Sequence, residues 1–166
     1  MKYTLATVFT VSCVLLTQQC NAEENTSSKD YTKYLTCTNV KKCSLIAEAI
    51  MYEARGESEY GREAVGVIII NRVKEKYKIV NERNIRKVIN EKNQFSFITD
   101  KDRQSSPTYE DKLLSYKAAT NVLLNESKVA FMLNGVKYYH SNKIKPPKWT
   151  NSMQYIVSID NHLFYK

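Results

Sequence analysis

Glycine is scarce in this 166-residue chain: there are four, and none are grouped. That excludes a glycine-rich phosphate loop, which needs clustered glycines to bring backbone N–H groups onto a phosphate. Histidine occurs only twice and cysteine four times. Two of the cysteines, Cys13 and Cys20, fall in or at an N-terminal apolar segment, so the remainder supports neither a zinc-finger spacing nor a structural zinc site. No cofactor and no resident metal are expected. A nucleophile-elbow motif is missing, so nothing supports a serine or cysteine hydrolase of that kind. The one conspicuous apolar run, "YTLATVFTVSCVLLT" (3–17), is shorter than the roughly 20 residues a membrane-spanning helix requires.

That run has a different use. Lys2 precedes it and "QQCNA" follows it, which is the pattern of a secretory signal peptide cleaved after Ala22. A lipid anchor on Cys20 is disfavoured by the bulky, polar Gln19 before it. The expected organisation is a signal peptide at 1–22, a linker or N-terminal extension at 23–42, and one folded domain at 43–166. Residues 23–166 suffice for a single hydrophobic core and are too few for two comfortable ones. The product is expected to be secreted, periplasmic or attached to the cell envelope, and to act as a monomer. Two cysteines then remain, Cys37 and Cys43, and in an exported chain they suggest a disulfide closing "CTNVKKC".

The formal charge is +8 at pH 7. A basic exported protein favours anionic wall polymers, peptidoglycan carboxylates or anionic lipid, although charge alone does not choose among them. Lys and Arg are dispersed rather than packed in one dense run, and no nucleic-acid partner is expected.

From Ser44, "SLIAEAIMYEA" places Leu45, Ile46, Ala49, Ile50 and Glu53 at helical spacing. Gly56 then ends the helix, and Ser58 caps a second one through "GREAVGVIIINRVKEKY", with Val65, Ile68, Ile69 and Val73 as its buried side. A short helix is expected around 84–91. A longer one runs over 107–126, started by Ser106 and Pro107, with Leu113, Leu114, Tyr116, Val122 and Leu123 as apolar surface. Beyond Ser127 strand-forming residues flank an Asn134–Gly135 turn. "IKPPKW" reads as an extended connection, and "MQYIVSIDNHLFY" as a closing strand or extended segment.

Glu53 continues an apolar helix face. An acid there is costly unless paired or protonated, and such a setting suits a general acid. The plainer reading is a partly exposed helix acid paired with Arg55 or Arg62. Glu57, beside Gly56, reads equally as a solvated acid at a helix end. "NQFSF" (93–97) offers amide, aromatic and hydroxyl groups suited to sugar hydroxyls. "YYH" (138–140) and "HLFY" (162–165) pair histidine with aromatics, and Trp149 either stacks on a sugar or seals the core.

Together these segments resemble the SleB/CwlJ-like cell wall hydrolases. The resemblance rests on Glu53, Ala54, Gly56, Glu57, Gly61, Ala64, Val65, Asn71, Arg72 and Val73. It continues through "VIN" (88–90), "QFSF" (94–97), "YYH" (138–140), "PPKW" (146–149) and "IDNHLFY" (159–165). It implies a lysozyme-like α+β fold, mainly helical, with a small β or irregular part towards the C-terminus. It also implies cleavage of peptidoglycan glycan strands between N-acetylmuramic acid and N-acetylglucosamine, with Glu53 as the catalytic acid of a lytic transglycosylase; the alternatives are a lysozyme-type muramidase and a non-catalytic cell-wall-binding module. Glu57 would be a supporting or second acid. Gln94, Ser96, Phe97, Tyr139, His140, Trp149, His162 and Tyr165 would form the substrate cleft.

Overall fold

The computed structural model describes residues 40–92, 94–95 and 105–166, all within the compact unit Tyr34–Lys166. The expected signal peptide, Cys37 and both Ser96 and Phe97 lie outside the described residues. Among the described residues four α-helices come first and a three-stranded sheet follows, so the fold is mainly helical with a small C-terminal β part.

Helix α1 spans Lys41–Glu53 and buries Cys43, Ile46, Ala47, Ala49 and Ile50 on one face. It stops at Glu53, and Gly56 turns the chain at φ +80°, a conformation that residues with a Cβ rarely adopt. Ser58 then accepts from the Gly61 N–H and caps α2, Glu59–Tyr77. Here one apolar face was expected, but α2 is buried on all sides from Gly61 to Ile70. It is the central helix, with α1, α3 (Glu82–Ile89) and α4 (Tyr109–Leu123) packed around it.

The start of α4 differs from the Ser106–Pro107 expectation. Thr108 is the cap, because Asp111 stands three residues on and completes a reciprocal capping box. Three residues after Ser106 stands Tyr109, which has no such carboxyl. Burial works against the Asp111 charge, but the Thr108 N–H and hydroxyl, with Arg55 and Arg62, hold its carboxyl below the usual range. The buried side of α4 also differs. It is built from Ser115, Ala118, Ala119, Thr120, Asn121 and Val122, while Leu113, Leu114, Tyr116 and Leu123 are only half-buried. Small residues let α4 lie close against α1 and α2.

No hairpin forms around Asn134–Gly135. Residues 128–135 are a run of turns whose buried side chains, Val129 and Leu133, are four apart rather than alternating. The segment is held by α2 instead: the Asn71 amide donates to the Leu133 and Val136 carbonyls at 2.7 and 2.8 Å. The Arg72 Nε donates to the Lys137 carbonyl at 2.7 Å. These bonds feed the chain directly into β1, Tyr138–Ser141. After the connection, Lys148–Ser152 is a short 3-10 helix. The final segment is a hairpin of β2 (Tyr155–Ile159) and β3 (His162–Tyr165), not one strand. Its two-residue turn is Asp160–Asn161, with Asp160 at φ +49°, a conformation that Asp and Asn tolerate better than most side chains. Sheet order is β1-β3-β2, all antiparallel, with Tyr139 opposite Phe164 and Ser141 opposite His162.

Candidate active site

Glu53 is the last residue of α1, half-buried where the helix ends. Tyr139, on β1, donates its hydroxyl to Glu53 Oε2 at 3.2 Å. Burial first, and then the negative charge of Glu53, push the Tyr139 phenol well above its ordinary value. The phenol therefore keeps its proton and acts as a fixed donor. Its ring is held by an edge contact with His162 at 5.1 Å and a tilted contact with Phe164 at 5.7 Å. Behind it, buried Arg72 lies over the Phe95 ring at 5.1 Å. Burial lowers the Arg72 value, and the carboxylates of Glu91 and Glu53 are among the groups that oppose that.

Glu57 has a different setting. Its two carboxyl oxygens accept from the Asn161 backbone N–H at 3.1 Å and the Asn161 amide at 2.9 Å. A reciprocal grip comes from the other side, where Asp160 accepts from the Ser58 N–H at 2.8 Å and its hydroxyl at 2.7 Å. Two carboxylates thus lock the α1–α2 loop to the β2–β3 turn. Glycine at position 61 makes this possible. A Cβ there would fall against the Asp160 carboxylate and within 2.9 Å of the Glu57 Cβ. The clamp sets where Glu53, at one end of the loop, stands relative to the sheet that carries Tyr139.

A cleft of about 520 Å³ opens between these parts. Tyr52, Glu53 and Glu57 line it from the α1 end, and Gln94 from the segment after α3. Tyr139, His140, Trp149 and His162 line it from the sheet side. Of the residues expected at a substrate cleft, Gln94, Tyr139, His140, Trp149 and His162 are thus brought together with both acids. Tyr165 stands behind the wall. Its ring stacks on His140 at 5.5 Å and meets Trp149 edge-on at 5.4 Å.

His140 Nδ1 lies 2.9 Å from the Ser141 carbonyl and Nε2 lies 3.2 Å from the Tyr165 hydroxyl. A carbonyl can only accept, so Nδ1 carries a proton, and in the neutral ring Nε2 accepts from the Tyr165 hydroxyl. Trp149 packs on Tyr138, His140 and Tyr165 while also lining the cleft. It is thus packed among the aromatics of the sheet and still presents surface to the cleft. His162 is buried, and burial lowers its value against the opposing pull of Glu57, Glu53 and Asp160. Its Nδ1 has no hydrogen-bond partner among the described residues.

Sequence reasoning missed Asp160 and Asn161 as site-building residues, and with them the clamp. Both stand within "IDNHLFY", but a turn pair gives no sign of its distant partner. Arg72 likewise stands in the resembling segment with no sign of what it holds. Among the described residues, no group of three or more His, Cys, Asp or Glu gathers to hold a metal ion.

An acid and a phenol at one side of a cleft walled by aromatic, amide and imidazole groups form a site built for a polar ligand with apolar faces, as sugars are. The Cell Wall Hydrolase family profile matches residues 56–165, and the chain belongs to that family. The match begins three residues after Glu53 and includes Glu57. Two solved structures have the same fold. The catalytic domain of the Bacillus cereus SleB protein is 25% identical at a TM-score of 0.59, covering 76% of this chain and 90% of that one. The catalytic domain of the germination-specific lytic transglycosylase SleB from Bacillus anthracis is 25% identical at a TM-score of 0.58, covering 76% of this chain and 94% of that one. No curated protein matches the chain. The resemblance to SleB/CwlJ-like hydrolases is thereby borne out.

Proposed function

We propose that this cell wall hydrolase cuts peptidoglycan glycan strands between N-acetylmuramic acid and N-acetylglucosamine, as a lytic transglycosylase with Glu53 as its acid. Glu53 protonates the glycosidic oxygen as its bond to muramyl C1 breaks. The muramyl C6 hydroxyl bonds to C1 and gives up its proton to the Glu53 carboxylate, leaving a 1,6-anhydro ring and a regenerated acid. Water is not consumed.

The observation that carries the reading is the unequal setting of the two acids. Both oxygens of Glu57 are committed to Asn161 in the clamp, whereas Glu53 lines the cleft beside the Tyr139 phenol. An inverting hydrolase needs a second carboxylate free to activate water, and a retaining one needs a second carboxylate as nucleophile. An internal hydroxyl nucleophile needs neither. The Bacillus anthracis relative, named a lytic transglycosylase, agrees with this choice. Gln94, Ser96, Phe97, Tyr139, His140, Trp149, His162 and Tyr165 are proposed as the substrate-binding set, with Tyr165 acting through His140 and Trp149.

Mass spectrometry of digested peptidoglycan is the test. Muramyl ends lighter by one water than reducing ends are expected. Reducing muramyl ends would mean lysozyme-type hydrolysis instead, and released peptides on intact glycan would remove the glycosidase reading altogether.

The protein is taken to act at the cell envelope, with residues 1–22 as a cleaved signal and 23–42 as an extension before the domain. Cys37 and Cys43 are proposed as a disulfide, supported on one side by Cys43, which is 1% exposed against the core. Alkylating exported protein before and after reduction should add two labels only after reduction. Two labels without reduction would remove the pair.

A further inference from the structure

Between Lys74 and Lys92 the chain carries seven Lys and Arg against three Glu. This excess is not spread evenly in space. On α3, Arg83, Arg86, Lys87 and Asn90 fall at i, i+3, i+4 and i+7, which is one stripe of a helix. All four are exposed, while Ile85, Val88 and Ile89 bury the opposite face. Across from the stripe stand Lys76 and Tyr77 at the end of α2, and the two helices enclose a second hollow of about 560 Å³. It shares no lining residue with the Glu53 cleft.

Four cations therefore line one hollow with a single carboxylate, Glu91. Some of that charge is already answered. Lys76 pairs with Glu91 at 2.6 Å, and Arg86 with Glu82 at 3.0 Å. Lys87 lies over the Tyr77 ring at 5.3 Å, which holds the ammonium in place without neutralising it. Arg83 and Lys87 have no carboxylate within ion-pair distance among the described residues, and Lys74 and Lys78 add positive charge at the end of α2. Cations gathered on exposed long side chains repel one another and contribute little to stability. An anionic ligand relieves that repulsion. The stripe runs about 10 Å along the helix, which suits a chain of repeated charges better than one small anion. Two arginines within it favour phosphate, whose oxygens match the guanidinium fork.

We propose that this α2–α3 groove is a second binding site, for a phosphodiester polymer carried on the cell wall, and that it holds the enzyme beside its substrate. The inference rests on the cell-wall reading for its choice of polymer. The chain leaves the groove at Glu91 and reaches the catalytic cleft at Gln94, whose N–H donates to the Glu91 carbonyl at 3.1 Å. A polymer seated in the groove would thus lie next to one end of that cleft. Binding should be strongly salt-dependent, because each phosphate contact releases counterions.

The test compares the full-length exported protein with its Arg83→Glu/Lys87→Glu variant. The substrates are wall sacculi bearing their phosphodiester polymer and the same sacculi stripped of it. Wild-type retention on polymer-bearing wall is expected to exceed that of the variant by about 10-fold at low salt, with the difference vanishing as salt rises. On stripped wall the two should bind alike and cleave alike, since neither substituted residue lines the Glu53 cleft. Equal retention of both proteins on polymer-bearing wall would overturn the proposal, as would unchanged wild-type retention after stripping. Equal or stronger binding to anionic phospholipid vesicles would also overturn it, in favour of a membrane. A protein that binds as expected but cleaves neither wall would instead count against the catalytic reading, leaving the groove standing.

Discussion

Replacing Glu53 by Gln is expected to lower turnover on peptidoglycan by about 100-fold or more, the usual scale of losing general acid catalysis. The melting temperature and retention on the wall should stay close to wild type. Gln keeps the length of the side chain and an oxygen that can still accept from the Tyr139 hydroxyl. It has no proton to give a leaving group. Glu53 is half-buried at the end of α1, where water reaches part of the side chain. Turnover of insoluble peptidoglycan, thermal melts and a pelleting assay read the three quantities separately. Wild-type turnover in the variant would end the case for Glu53 whatever the products.

Glu57→Gln provides the comparison. The amide can accept from Asn161 with its oxygen, but its NH2 then meets a second donor of the same residue. The clamp should loosen and the activity loss should be smaller than at Glu53. The loss should also shrink in conditions that stabilise the fold. A loss as large as that of Glu53→Gln, with an unchanged melting temperature, would instead make the two acids a catalytic pair.

The helices were readable because their evidence is local. Leu45, Ile46, Ala49 and Ile50 recur at helical spacing, and Ser58 sits where a cap must be. The C-terminal third depended on partners far away in sequence. Nothing within 128–137 reveals that Asn71 and Arg72 will take its carbonyls, so strand-forming residues there became turns. The same limit applies to the site. Glu53 and the aromatic segments stood out by type, and the cleft gathers five of the eight expected binding residues around both acids. What Glu57 does was hidden, because its partner is 104 residues away. Glu63 was hidden in another way. In "GREAV" it reads as one more helix acid, yet it is fully buried.

Glu63→Ala is expected to destabilise the protein by about 3–5 kcal/mol, the scale of leaving several buried donors without an acceptor. One carboxyl oxygen accepts from the Asn121 amide at 2.8 Å. The other accepts from the Ser127 hydroxyl at 3.0 Å and the Lys128 N–H at 2.8 Å. These bonds tie α2 to the end of α4 and to the start of the turn-rich segment that leads into β1. Truncation leaves three donors without an acceptor, each costing about 1–3 kcal/mol if water does not reach it, and the costs do not simply add. Against a typical total of about 5–15 kcal/mol, that is enough to leave a substantial unfolded fraction on warming. Glu63→Gln should recover part of the loss, because one oxygen still accepts while the NH2 faces a donor. Urea unfolding gives both values. An alanine variant within about 1 kcal/mol of wild type would show that water replaces the carboxyl. Glu63 is not among the residues lining the Glu53 cleft. Turnover per folded molecule should therefore hold at low temperature, which separates a fold-holding acid from a catalytic one.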